Sequence, residues 1–260
     1  MILRRITHHV KRQNWFAVCL DFCIVVVGIL IAFQITNWNE ARQDNLLYEQ
    51  ARQRVIEEAK LNLVLAQDHG ARASAYQTAA REILNEFENC RSDVDAGARE
   101  RLMERVKKLR FVLGADVRDD AITRIISSDS FLDNISPQDL TTLSTYARQL
   151  RRVADNIRFD YSYQIAEDTL SDVPIFKRTS KADWGDGLMA LVLTVSYQEA
   201  CQNAQFNTFL NDRYEHATYQ ILQQERLAEA SRELLLGLGE SVHALAADAD
   251  ALSTTQALLN

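Results

Sequence analysis

The stretch WFAVCLDFCIVVVGILIAFQI, residues 15–35, decides the fold of this chain. Residues 22–32 are apolar without interruption, and only Asp21 and Gln34 are strongly polar in the whole stretch. As a helix, these residues reach about 31 Å, which matches the roughly 30 Å hydrocarbon core of a bilayer. The sequence therefore predicts a transmembrane helix over residues 15–36.

The charge inside the stretch does not overturn this prediction. Each central Val, Ile, Leu or Phe contributes about −0.3 to −0.6 kcal/mol to membrane insertion, and about a dozen such residues are present. Asp21 costs about 3 kcal/mol or less because it lies toward one end. Trp15 and Trp38 stand where interfacial aromatic side chains belong. The competing interpretation is a buried core helix of a soluble protein.

Charges on either side of the stretch predict its orientation. Residues 1–14 contain four bases and no acid, whereas acids and bases are mixed just after the stretch. The positive-inside rule therefore places the N-terminus in the cytoplasm. A cleaved signal peptide is the alternative, but the residues after the apolar segment contain no small-x-small cleavage site. We expect an uncleaved anchor.

The end of the span carries a distinctive motif, VVVGILIAFQITNWNEAR, at residues 25–42. Together with the residues from Arg4 to Phe22, it resembles an uncharacterised family of bacterial single-pass membrane proteins. Members of that family share a VVxGIxIAxQxxNWNExR signature followed by a variable helical remainder. The resemblance covers only this N-terminal part. It implies a bacterial inner membrane and no assigned activity, and the orientation predicted from the charges makes the C-terminal domain periplasmic.

The chain beyond the span is long enough for a folded domain, with roughly 220 of its residues outside the membrane. Its eight glycines and two prolines are few for 260 residues, which favours long helices. We predict an all-α protein in which the transmembrane helix continues into a long helix. An up-and-down extramembrane helical bundle then follows over residues 37–250, with a loose tail over residues 251–260.

Residue periodicity divides this domain into helices. A four-residue stripe from Leu47 to Leu63 extends the first helix to about Asp68, where His69-Gly70 is expected to end it. Ser136-Pro137 is a helix start, with Ser as N-cap and Pro at the first helical position. Further helices are expected over residues 71–89, 98–112, 122–126, 140–161, 188–200 and, with a heptad pattern interrupted near Gly237 and Gly239, from 203 to 245.

Two segments have other expected conformations. Residues 110–117, RFVLGADV, have the alternative of pairing as a strand. Residues 171–184 form the longest irregular stretch and are the candidate for a mobile or binding loop.

The four cysteines fall into two pairs. Cys19 and Cys23 lie in the span, one helical turn apart, and are expected to pack against lipid or a partner helix. Cys90 and Cys201 lie in the domain predicted to face an oxidising compartment, which favours a disulfide between them. Such a bond would contribute about 4 to 5 kcal/mol in the chain-entropy model. The alternative is two buried thiols.

A carboxylate inside a span points to function or helix packing. Asp21 and Gly28 share a helix face with Ala17 and Ala32, and Gly28-x-x-x-Ala32 is a small-xxx-small motif. We expect this face to meet another helix, with Asp21 as a polar contact that determines oligomerisation. One alternative is a proton-linked accessory role, because the layout resembles in outline the single-span stator subunits of ion-driven motors, although their periplasmic motifs are absent. Another is an Asp tolerated near the interface.

Arg148, Arg151, Arg152 and Arg158 interleave with tyrosines on one predicted helix. They are candidate ligand-facing residues, as in four-helix periplasmic sensors that capture acidic ligands. The alternative is a solvated helix face.

Composition and motifs restrict the function classes. The net charge is −7 overall, and without the basic leader and Asp21 the part after Ile35 carries about −10, which disfavours nucleic acid as a partner. The histidines make no metal-binding spacing, and neither a phosphate loop nor a nucleophile elbow occurs. We expect no cofactor, no metal and no catalysis. The predicted partners are the lipid bilayer and further copies of the chain or another membrane protein. The alternatives are a periplasmic ligand sensor and the proton-linked subunit.

Overall fold

The computed structural model describes residues 15–88, 90, 97–109, 116–132, 134–166, 173–179 and 190–240. Within these ranges the chain forms helices and one two-stranded sheet, so the all-α class is confirmed. In chain order the elements are α1 (Trp15–Glu88), α2 (Ala98–Lys108), α3 (Asp120–Ile126), α4 (Asp129–Leu132), α5 (Pro137–Ala166), β1 (Phe176–Thr179), β2 (Ala190–Leu193), α6 (Tyr197–Cys201) and α7 (Ala204–Gly237).

Helix α1 is continuous over 74 residues, about 110 Å at 1.5 Å per residue. The predicted end at His69-Gly70 is wrong, and the helix predicted over residues 71–89 is the continuation of α1. A glycine inside a helix costs about 1 kcal/mol relative to Ala. Packing of α1 against α7 on both sides of Gly70 offsets that cost, and a Cβ added at Gly70 would lie at an ordinary contact distance, 3.6 Å, from the Cβ of Gln224.

Helix α7 packs antiparallel along the second half of α1 and divides the core into two clusters. The near cluster joins the Tyr48–Ala66 part of α1 to the Leu227–Leu238 end of α7, with α3 and α5 on its other sides. The far cluster joins the later part of α1 to the beginning of α7, with α2 and the sheet beside it. The largest fully buried side chains of the two clusters are Ile56, Ile122, Ile125, Leu143, Tyr146 and Leu150 in the near cluster and Ile83, Leu102, Leu109, Leu193, Phe206 and Leu210 in the far cluster.

Helix α5 starts where the sequence predicts. The backbone N–H of Asp139 donates to Ser136 Oγ at 3.0 Å, and Pro137 is the first helical residue. The buried side chains of α5 then recur at three- and four-residue steps, which turns one face of the helix onto α7. These buried residues are Leu143, Tyr146, Leu150, Val153 and Ile157.

Helix α3 has an N-terminal cap that comes from another helix. Asp119 occupies the N-cap position but its side chain makes no capping hydrogen bond. Instead the Glu58 carboxylate of α1 accepts from the backbone N–H groups of Ala121 at 2.8 Å and Ile122 at 3.2 Å. A negative group at a helix N-terminus also interacts favourably with the helix dipole. Glu58 therefore holds α3 against α1.

The helix predicted over residues 188–200 is wrong for residues 190–193, and residues 188–189 lie outside the described chain. Ala190–Leu193 is strand β2, which pairs antiparallel with β1 in the register Phe176↔Leu193. Strand β1 also lies inside the stretch predicted as irregular, so residues 176–179 of it are ordered. Phe176, Leu191 and Leu193 are buried in the far cluster. The described part of the run LMALVLTV therefore contributes to the core, as predicted, but its residues 190–193 do so as a strand.

The ends of the remaining helices differ from the predictions by a few residues. Helix α2 ends at Lys108 rather than Val112, and Asp116 and Val117 are not in a strand. Helix α7 follows its predicted heptads and ends at Gly237, and Gly239 adopts a φ of +85°. The predictions for residues 1–14, 110–115 and 241–260 fall outside the described part of the chain, as do residues 171–172 and 180–184 of the predicted loop.

Candidate functional site

The apolar segment of α1 is exposed in the single chain. An 18-residue window within this helix has a mean hydropathy of 2.6, and none of its residues is buried. Phe22 and Phe33 are 68% and 66% exposed. A core helix of a soluble protein would bury one side at least. Helix α1 is thus long and apolar enough to cross a membrane, by length and composition.

The small-residue face of this segment has no partner within the described chain. A Cβ added at Gly28 would meet nothing within 4 Å, and Asp21 and Ala32 are exposed on the same helix. The side chain of Ala17 lies outside the described residues. The structure therefore presents Asp21, Gly28 and Ala32 as an open surface.

A helical connector separates this segment from the bundle. Residues 36–47 are exposed except for the half-buried Asp44, and the first buried residue is Tyr48. Twelve helical residues rise about 18 Å. The Arg42 guanidinium lies 6.0 Å from the Trp38 ring, which places a cation and an aromatic side chain together next to the apolar segment. Such pairs are typical of membrane interfaces.

A buried amide holds three elements of the near cluster together. Asn62 is fully buried on α1, and its Nδ2 donates to Arg118 O at 2.7 Å and to the Tyr146 hydroxyl at 3.0 Å. Its Oδ1 accepts from Arg118 N at 2.9 Å. Burial raises the pKa of Tyr146 to about 12, against a smaller lowering by the Asn62 hydrogen bond. The phenol is therefore neutral and serves as a structural contact.

An acid–base pair joins the end of α5 to α7. Asp160 Oδ1 lies 2.7 Å from His216 Nδ1, and Gln220 donates to the other carboxylate oxygen. The His216 and Asp160 side chains are only 12% and 6% exposed, and the Tyr163 ring lies 5.2 Å from the imidazole. No local motif in the sequence connects the members of this pair, because they are 56 residues apart.

Polar atoms without partners lie farther along the buried face of α7. Gln224 is 2% exposed, and neither its amide oxygen nor its nitrogen has a hydrogen-bond partner. Arg213 is 4% exposed, with its guanidinium 5.0 Å from the Phe209 ring and Nη1 unpaired. Buried unpaired polar groups cost about 1 to 3 kcal/mol each. Each of these unpaired groups on α7 therefore lowers the stability of the folded chain.

The four candidate ligand-facing arginines separate into two pairs. Arg148 and Arg151 line an open groove of about 450 Å³ beside α5 and the end of α3. Arg152 and Arg158 are exposed on α5 outside that lining, and Arg158 pairs with Asp155 at 3.4 Å. The structure thus brings together two of the four arginines.

Cys90 and Cys201 meet in the far cluster as a disulfide, with their Cα atoms 6.0 Å apart. The bond links the chain just past the end of α1 to the end of α6, 111 residues later. Cys19 and Cys23 are free and exposed on the apolar segment. Only the pair in the bundle is therefore positioned for a covalent link within one chain.

No metal-binding cluster emerges from the described residues. Among them there is no group of three or more His, Cys, Asp or Glu side chains suited to a metal ion. No protein-family model, no curated protein and no solved structure matches this chain. The resemblance of residues 25–42 to a bacterial single-pass family therefore stays a prediction.

Proposed function

We propose that this chain is a non-enzymatic single-pass protein of a bacterial inner membrane that acts by protein contacts. Its N-terminus is cytoplasmic and the bundle is periplasmic. Helix α1 anchors the bundle and passes without interruption from the lipid into the domain. The partner is another copy of the chain or a second membrane protein.

The observation that carries this proposal is the contrast along α1, whose apolar part buries nothing while its later part supplies one wall of the core. In water, an exposed apolar surface of this size would aggregate, whereas lipid accommodates it. Within lipid, the open Gly28 and Ala32 face favours a close helix–helix contact. Asp21, on the same face, is unfavourable against lipid and favourable against a polar partner.

Two measurements test location and orientation. Alkaline extraction of membranes should leave the chain in the membrane fraction. A C-terminal enzyme reporter that is active only outside the cytoplasm should be active, and a reporter that is fluorescent only inside should be dark. A chain that is extracted, or a fluorescent cytoplasmic reporter, would contradict the anchor or its orientation.

The contact role is tested at the open face of the span. Gly28→Leu should weaken self-association or complex formation in mild detergent because the larger side chain separates the helices. Val27→Leu, a conservative change at a neighbouring exposed position, is the control. Asp21→Asn should retain assembly if Asp21 serves as a hydrogen-bonding contact. Loss of a proton-dependent phenotype with assembly intact would instead support the proton-linked alternative.

A ligand sensor is the second candidate, favoured by the groove that Arg148 and Arg151 border. Small acidic ligands would bind the two guanidinium groups and shift α5 against α1. Calorimetric titration with short dicarboxylates tests this role. Saturable heat that disappears in Arg148→Gln/Arg151→Gln would support the sensor, and absence of heat would count against it.

A further inference from the structure

The groove beside α5 has a regular lining. Leu140, Ser144, Ala147 and Arg151 follow one another at steps of four, three and four residues, and Thr141 and Arg148 flank them. Steps of four and three are the spacing with which one helix faces another. This outer stripe lies beside the face of α5 that packs on α7. It is only partly covered in the described structure, because Ala147 is half-buried whereas Arg148 and Arg151 are exposed.

The groove has an apolar end and a cationic end. Ile126 and Leu140 are half-buried against the near cluster and form the apolar end. Ser144 and Ala147 in the middle are small, which lets a second helix approach closely. Arg148 and Arg151 form the other end, about three turns from Leu140, a length of about 16 Å. The shape and spacing fit one amphipathic helix laid along α5.

The charges at the cationic end are not neutralised by the described chain. Arg151 has no hydrogen bond or ion pair with any described residue, and Arg148 bonds only to the Thr145 hydroxyl, at 3.3 Å. Arg105, by contrast, binds two glutamates of α1. Two unpaired guanidinium groups beside an apolar groove, in a domain that is acidic overall, favour carboxylates as their partners.

We propose that this groove is the docking site for an amphipathic helix of a partner protein, with apolar residues against Ile126 and Leu140 and Asp or Glu against Arg148 and Arg151. This inference rests on the proposed contact function and names a surface for it. The apolar contacts give affinity and the two arginines determine the direction of the bound helix. A free small acid needs only the cationic end, which leaves the apolar stripe unused.

The test is photo-cross-linking of the full chain in its native membrane, with benzoyl-phenylalanine in place of the exposed Thr141. The cross-linked partner peptide is identified by mass spectrometry. We expect an acidic amphipathic segment of another protein. Arg148→Glu/Arg151→Glu should lower the yield about tenfold, since two attractive charge pairs become repulsive. Replacement of the partner's acidic residues by Lys should restore the yield with the Arg148→Glu/Arg151→Glu variant.

Arg152→Glu/Arg158→Glu is the matched control, because it makes the same charge change on the same helix outside the groove. Its yield should stay within about twofold of the unsubstituted chain. An adduct with lipid or with a second copy, no adduct at all, or equal yields in the two double variants would overturn the proposal. Those outcomes leave membrane extraction and reporter activity unchanged, so failure of the groove is distinguishable from failure of the anchor.

Discussion

Two parts of helix α1 differ in what surrounds them although they share one continuous backbone. Residues 18–47 have apolar side chains on every face over the first half and bury none of them. Residues 48–88 are amphipathic and bury a stripe that includes Val55, Ile56 and Ile83. A helix that is apolar all round needs an apolar solvent, whereas an amphipathic one needs a protein neighbour on one side. Continuity of a helix thus says nothing about continuity of its environment.

The largest expected difference between the two parts of α1 is the effect of introduced charges on membrane retention. Val27→Arg/Ile31→Arg adds about 5 to 7 kcal/mol to the cost of insertion, as much as all the apolar residues of the span contribute. We expect this variant to leave the membrane fraction. Gln53→Arg/Glu57→Arg, on the exposed face of the later part, should remain in it. Equal membrane retention of both variants would contradict the anchor.

Removal of a cysteine pair should also have different effects in the apolar part of α1 and in the bundle. Cys90→Ala/Cys201→Ala should lower the free energy of unfolding of the bundle by about 4 to 5 kcal/mol in the chain-entropy model, because the long loop is no longer closed in the unfolded chain. Cys19→Ala/Cys23→Ala removes the same number of sulfur atoms from the exposed span and should leave unfolding unchanged. Chemical denaturation followed by circular dichroism measures both. Mass spectrometry of unreduced peptides should find Cys90 joined to Cys201.

Two isoleucines, one in each part of α1, sharpen the comparison further. Ile56 is fully buried and Ile31 is 54% exposed. Ile56→Ala should cost about 2 to 5 kcal/mol of bundle stability, since it leaves a cavity in the near cluster. Ile31→Ala should change the thermal unfolding of the bundle by less than about 0.5 kcal/mol. A large effect of Ile31→Ala would mean that the bundle contacts the apolar segment after all.

The smallest expected effect concerns the pH dependence at Glu58. Burial raises the pKa of this carboxyl above its usual value, against the two backbone N–H groups that lower it. The folded chain therefore takes up a proton at higher pH than the unfolded chain. Its stability should increase as the pH falls through the raised pKa toward the ordinary carboxyl value, and decrease as the pH rises.

Glu58→Gln should remove this part of the dependence, and Glu57→Gln, at the exposed neighbouring position, should not. Urea unfolding over the weakly acidic range measures the difference between the two variants. If the stabilities of Glu58→Gln and the unsubstituted chain follow the same pH curve, the carboxyl titrates normally.

Local sequence patterns predict α7 and the start of α5 correctly. The heptads of α7 and the Ser136-Pro137 start of α5 are present as predicted, because spacing and capping act within a few residues. The predicted stop at Gly70 failed, since a glycine that ends an isolated helix is tolerated where α7 packs closely against it. The predicted helix at residues 190–193 failed because pairing with residues 176–179 outweighs the preference of a short apolar run.

The candidate sites likewise divide into those that local sequence predicts and those that depend on contacts between distant residues. Composition and compartment predict the contact face with Asp21 and Gly28, which stays a prediction, and the bond between Cys90 and Cys201, which is present in the structure. Glu58 as the cap of α3, Asn62 as a link between α1 and α5, and the Asp160–His216 pair join residues that are far apart in the chain. No local signal identifies such partners.

The amino-acid sequence alone determined the long apolar segment, the basic leader and the helical class, because hydrophobicity, charge and helix propensity are properties of neighbouring residues. Only the tertiary structure decided that α1 continues past Gly70, that residues 190–193 form a strand, and that Arg148 and Arg151 share a groove from which Arg152 and Arg158 are excluded. Those outcomes depend on contacts between distant segments, whose free energies exceed the preferences of a few residues and exist only when the chain is folded.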